Sequence, residues 1–154
     1  GNVSLDQRCQ GLNDGLKPSG SGTEVLTVSI DPADIQRRTE AYLSAHPYTQ
    51  AVFALGATAA NPLIPFFRQK ELFGKIKLYT FDISPEVLDS VVAGEMGFGM
   101  DAQQYLMGYL PVIYLVEHAT HGFWPQNNAY TGPLFIDSPE KAKAILALAK
   151  DGIR

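Results

Sequence analysis

Short apolar runs rich in β-branched and aromatic residues alternate along this chain with segments that open on a helix-start signal. That alternation restricts the fold more than any other feature. "EVLTVSI" (24–30) leads into Asp31-Pro32, a capping carboxylate with proline at the first helical position. "KIKLYTF" (75–81) leads through Asp82 into Ser84-Pro85-Glu86, and "YTGPLFID" (130–137) into Ser138-Pro139-Glu140. Further strands are expected at "QAVFAL" (50–55) and "GFGMD" (97–101). Helices are expected at 4–16, where Ser4 and Gln7 have capping-box spacing, then from Asp31 to His46 and within 56–74, where Gly74 is placed as a C-cap. Others follow at 84–94, 103–121 and 138–150. Strands alternating with helices at this spacing predict an α/β fold, a Rossmann-like parallel sheet with helices on both faces. The order begins with a helix, so the strand that should lead into it is expected to be missing.

At 154 residues the chain holds one domain with a real core. It is 45% hydrophobic and 18% charged, an ordinary globular balance. The net charge of -4, with no cluster of Lys and Arg beyond Arg37-Arg38, argues against nucleic acid as a partner. Cys9 is the sole cysteine, which excludes an intramolecular disulfide and a thiolate metal site. It reads as a small core residue. The longest apolar helical stretch, "YLMGYLPVIYLV" (105–116), is too short for a membrane span and contains Pro111; no signal peptide is visible.

In open parallel sheets ligands bind beyond the carboxyl ends of the strands. The residues there are Asp31, then Gly56, Ala57 and Thr58, then Asp82, then Asp101. Asp31 is read as an N-cap because Pro32 follows it. Asp82 is different. Ser84 already holds the cap position before Pro85, which leaves the Asp82 carboxylate for a ligand. Asp101 is open to either role. Arg8, in the second turn of the first helix, lies near the same rim if that helix follows a strand. A carboxylate accepts from two neighbouring hydroxyls and a guanidinium donates in a fixed fork, equipment suited to a polyol rather than to hydrolysis. Other chemistry lacks its residues. His118 and His121 without a third ligand make a poor zinc site. No dinucleotide fingerprint, phosphate loop or serine nucleophile elbow is present, so neither catalysis nor a cofactor is expected.

Three stretches carry a resemblance. Arg8 to Gly11 reads R-x-x-G, Phe81 to Pro85 reads F-D-x-S-P, and Asp101 to Tyr109 reads D-x-Q-x-Y-x-x-G-Y. With them, about residues 2–150 resemble the C-terminal part of type I periplasmic sugar-binding proteins, the ribose-type solute receptors of ABC importers. The resemblance implies a two-lobed receptor with sugar held between the lobes, a periplasmic location, and a membrane permease as partner. Residues 1–154 would then form one C-terminal lobe, with hinge-crossing segments near 101–103 and 130–137. Arg8 and Asp82 are implied as direct sugar ligands. Thr58 is the only hydroxyl near Gly56, where related receptors often carry Asn. Ala102 stands where the family's ligand glutamine is usual, so Asp101 or Gln103 is the candidate substitute. These departures imply a ligand unlike ribose or an altered pose. The family needs roughly twice this length, so a fragment without its N-terminal lobe is expected. The long helix would then expose an apolar face including Leu106, Leu110, Ile113 and Tyr114, which favours self-association. Effector-binding cores of LacI-type repressors share the fold and remain the alternative.

Overall fold

Each proline-opened helix starts where its capping residue stands. In the computed structural model, which describes residues 2–154, Asp31 accepts from the Ala33 and Asp34 N–H groups at 3.4 and 3.3 Å. Ser84 Oγ accepts from the Val87 N–H at 3.1 Å, and Ser138 Oγ from the Lys141 N–H at 3.3 Å. These caps begin α2 (Pro32–Ala45), α4 (Pro85–Val92) and α6 (Pro139–Lys150). The first helix, α1 (Val3–Leu16), is capped by Asn2, which accepts from the Ser4 N–H at 3.0 Å. The Ser4–Gln7 capping box therefore does not form; Asn is as good a cap and comes earlier. The remaining helices are α3 (Ala57–Gln69) and α5 (Gln104–His121). Helix α3 ends before Gly74, which serves instead as a left-handed turn residue (φ 86°) ahead of the next strand.

The strands are β1 (Ala51–Ala54), β2 (Lys77–Phe81), β3 (Phe98–Asp101) and β4 (Leu134–Ile136), side by side in that order. β1, β2 and β3 are parallel, with Ala54 opposite Thr80 and Phe81 opposite Met100. β4 runs antiparallel, with Asp101 opposite Leu134. The chain leaves β3 at its carboxyl tip, makes α5, and re-enters the sheet at that same tip. An antiparallel return needs no crossover.

The stretch 24–30 is not a strand. It runs without ladder bonds, with Val25 and Ile30 largely exposed. A strand exists only by pairing, and β-branched composition records fitness for a pleated surface rather than a backbone preference. This stretch is held instead by α2: Tyr42 donates to Glu24 at 2.9 Å, Asp34 accepts from the Ser29 N–H at 3.1 Å, and Val28 packs on the core.

Alternation along the strands separates two faces. Ala54, Leu78, Thr80 and Ile136 are buried beneath the row α2–α3–α4–α6. There they meet Ile35, Ile64, Phe67, Val87, Leu88 and Ala142. Full burial of each large side chain contributes roughly 1.5–3 kcal/mol. The opposite face carries Phe53, Tyr79, Phe98 and Phe135, neighbouring rings with centroids 4.7–5.7 Å apart along Tyr79–Phe98, Phe98–Phe135 and Phe53–Phe98. Helices α1 and α5 border this side near Phe81 and Met100, and neither buries a residue of its own. An open hollow of about 580 Å³ lies between α1 and the sheet, lined by Leu12 and Leu16 on one side and Phe81 and Met100 on the other.

Candidate ligand-binding site

The carboxyl tips of β1, β2 and β3 form one rim. The β2–β3 ladder runs one bond past β2, from the Asp82 N–H to the Met100 carbonyl at 2.8 Å. That bond fixes Asp82 at the rim while its backbone turns left-handed, φ 64°. Aspartate tolerates this region better than most side chains. Because Ser84 caps α4, the Asp82 carboxylate is free to face outward.

Arg8 comes to it from α1. Its Nη1 donates to the Leu55 carbonyl at 2.6 Å and to Asp82 Oδ2 at 3.1 Å. The guanidinium carbon lies 4.8 Å from the centre of the Phe81 ring. Three contacts on three sides hold the fork in place, and both partners stay about one quarter exposed. Gln104, in the first turn of α5, donates to Asp82 Oδ1 at 3.2 Å. Gly56 is extended, and a Cβ there would lie 3.5 Å from Asp82 Oδ2. The glycine leaves that oxygen uncovered. A groove of about 590 Å³ opens over this cluster, floored by Phe81 and Asp82 and walled by Leu106, Leu110 and Tyr130.

Hydrogen-bond capacity remains in the cluster. Arg8 Nη1 uses both hydrogens on the protein, whereas its Nη2 and Nε groups have no protein partner among the described residues. An ionised carboxylate offers about four acceptor directions, and two of those on Asp82 are taken.

The other expected site residues lie elsewhere. Thr58 is exposed in the first turn of α3. Asp101 is completely buried. Its Oδ1 accepts from the Gln103 N–H at 2.6 Å, and its Oδ2 lies 2.8 Å from Arg154 Nε. That Arg154 N–H is not aimed at the oxygen, so the two meet as an ion pair rather than as an aligned hydrogen bond. Gln103 adopts φ 56° and donates its side-chain amide to the Thr131 carbonyl. Thr131 Oγ1 in turn donates to the Ala102 carbonyl at 2.7 Å. Gln103 and Thr131 thus stitch residues 102–103 to 131 while Asp101 holds the Gln103 N–H, and neither Asp101 nor Gln103 lines the groove. Sequence reasoning missed Gln104 and Phe81. The adjacent glutamines gave no means of telling which one reaches Asp82, because that depends on the left-handed Gln103. Phe81 could have been found from the strand alternation that puts it on the face opposite Leu78 and Thr80.

Among the described residues no group of three or more metal-binding side chains occurs. His118 rests edge-on against Trp124, and His121 is tilted against Phe123. Cys9 is half-buried in α1.

Residues 1–122 match the family model for the periplasmic binding protein domain. A xylose/arabinose-binding protein of Sulfolobus acidocaldarius is 26% identical over 159 aligned positions, covering 99% of this chain and 39% of that protein. Among solved structures, a carbohydrate transporter of Acidothermus cellulolyticus in complex with myo-inositol superposes with a TM-score of 0.82 at 26% identity. The match covers 99% of this chain and 52% of that one. A periplasmic sugar-binding protein of a Legionella pneumophila ABC sugar transporter gives 0.75 at 28% identity, over 80% of this chain and 46% of that one. The chain thus spans about half or less of the length of these relatives.

Proposed function

The chain belongs to the periplasmic binding protein domain family, and from that premise we propose that it is one lobe of an extracytoplasmic receptor for a sugar or related polyol. The receptor would serve an ABC importer. The observation that carries this reading is the Arg8–Asp82 pair: anchored on three sides, one quarter exposed, and retaining free donors and acceptors beneath an open groove. A diol can accept from the guanidinium and donate to the carboxylate at once, and Phe81 offers its ring to an apolar sugar face. Gln104 adds an amide within reach of the same carboxylate. The relatives' xylose, arabinose and inositol are ligands of this class.

In this reading residues 101–103 and 130–137 are the hinge segments, and Asp101 and Gln103 brace them rather than touch the ligand. Thr58 stands on the rim as an outlying contact. The protein binds and does not transform its ligand. The repressor reading is dropped, since the curated relative is a sugar-binding protein.

The test is isothermal titration with a panel of pentoses, hexoses and inositols on the receptor that carries this lobe. Asp82→Ala should weaken binding about 10- to 100-fold, the size expected for charge-assisted hydrogen bonds. Unchanged affinity would remove Asp82 from the site.

A further inference from the structure

Asp101 is a carboxylate with no exposed surface. Removing such a charge from water is costly unless a cation accompanies it. The cation is Arg154, about one fifth exposed, with Nε 2.8 Å from Oδ2. It comes from the far end of the sequence, past α6, and among the described residues no other Lys or Arg forms an ion pair with Asp101. The other oxygen, Oδ1, holds the Gln103 N–H at 2.6 Å, and Gln103 stands in the left-handed region that most side chains avoid. The next residue is Gln104, exposed at the groove's edge, whose amide meets the groove residue Asp82. The ion pair is therefore linked to the groove by a carboxylate, one backbone turn and one side chain.

We propose that Arg154 is a positioning residue for the groove: by holding Asp101 it holds the left-handed turn at Gln103, and so the direction from which Gln104 approaches Asp82. Arg154 touches nothing in the groove itself. Its effect on affinity rests on the reading of the groove as a ligand site, whereas its effect on Gln104 does not.

The experiment uses the ¹⁵N-labelled chain with Arg154→Ala and Arg154→Lys, each alone and combined with Asp101→Asn. The Gln103 backbone amide and the Gln104 side-chain amide are followed by NMR. Arg154→Ala should move both signals while those of the α3 core stay in place. Arg154→Lys should restore both, since a lysine can still place a cation beside the carboxylate. In the Asp101→Asn background Arg154→Ala should add no further movement. Sugar affinity in the intact receptor should fall about 3- to 30-fold with Arg154→Ala, the range for substitutions that act through another residue.

A folded Arg154→Ala chain with an unmoved Gln104 signal would overturn the proposal. So would additive shifts in the double variant. If Arg154→Ala does not fold, Arg154→Gln, which keeps most of the stem and loses the charge, decides: a displaced Gln104 supports the proposal and a wild-type signal refutes it. If the wild-type receptor binds no sugar, the ligand reading fails, while the Gln104 signals still decide whether Arg154 positions that side chain.

Discussion

In the proposed site Arg8 is a side chain held in place before any ligand arrives. Its guanidinium is held by a backbone carbonyl, a carboxylate and an aromatic ring at the same time. Little side-chain entropy is left to lose when a hydroxyl arrives. Lysine cannot reproduce this, because an ammonium lacks the planar fork and stacks poorly. Arg8→Lys should therefore weaken sugar binding at least about 10-fold, with a thermal midpoint close to wild type because both partners remain water-accessible; calorimetry and a melting curve check the two halves. Gly56 lies beside the same carboxylate, where an added Cβ would sit 3.5 Å from Asp82 Oδ2. Its extended backbone accepts any residue, so Gly56→Asn should fold normally, place an amide beside Asp82 Oδ2, and change the order of preference in a sugar panel. An unchanged order would show that the Gly56 corner is not in the groove's working part.

Among the elements, the two segments stitched at residues 101–103 and 130–133 approach each other backbone to backbone. A Cβ on Gly132 would lie 2.8 Å from the Asp101 carbonyl oxygen and 3.0 Å from the Ala102 Cα. Both neighbours are backbone and cannot rotate away. Gly132→Ala should cost about 1–3 kcal/mol, the usual range for overpacking, read as a lower urea midpoint. The α3–α4 layer has its own clasp: Arg68 forks onto Glu95 with contacts of 2.6–3.1 Å, and the buried Ser90 hydroxyl donates to the same carboxylate at 2.8 Å. The Arg68 bond, against an opposing desolvation, holds the Glu95 carboxyl below its ordinary 4.5. A carboxyl depressed in the folded state adds stability above its unfolded value, and that stability is lost as pH falls through the folded one. Glu95→Gln should thus flatten the acid limb of the stability curve below about pH 4.5 and cost no more than about 1 kcal/mol at pH 7, since the pair is partly solvated. Urea titrations at pH 3, 4 and 7 would show it; an acid limb as steep as wild type would reject the assignment.

At the scale of the whole molecule, four helices bury one face of the sheet while α1 and α5 leave the other half-covered. α5 buries nothing, and Met107, Val112, Leu115 and Val116 are each more than half exposed. Apolar surface of that extent rarely stays in water. By itself the 154-residue chain should associate at micromolar concentration, and Leu115→Lys should shift it toward monomer in sedimentation velocity. A wild-type chain that sediments as a monomer would contradict this. In the proposed receptor the same face is where a second lobe would sit.

Local signals were legible where the physics is local. Asp31, Ser84 and Ser138 cap their helices because the cap, the proline and the acidic first turn lie within four residues of one another. Asp82 could be singled out because Ser84 had already taken the cap, and the apolar runs at 51–54 and 77–81 were readable as strands. What required the tertiary structure is what depends on partners distant in the chain. The run at 24–30 has a strand's composition but no neighbour to pair with. The sequence left Asp101 open between a cap and a ligand contact; the structure buries it beside Arg154, 53 positions later. The choice between Gln103 and Gln104 turned on one left-handed residue. Composition sets what a segment can do; which of those options it takes is decided by the residues that fold up against it.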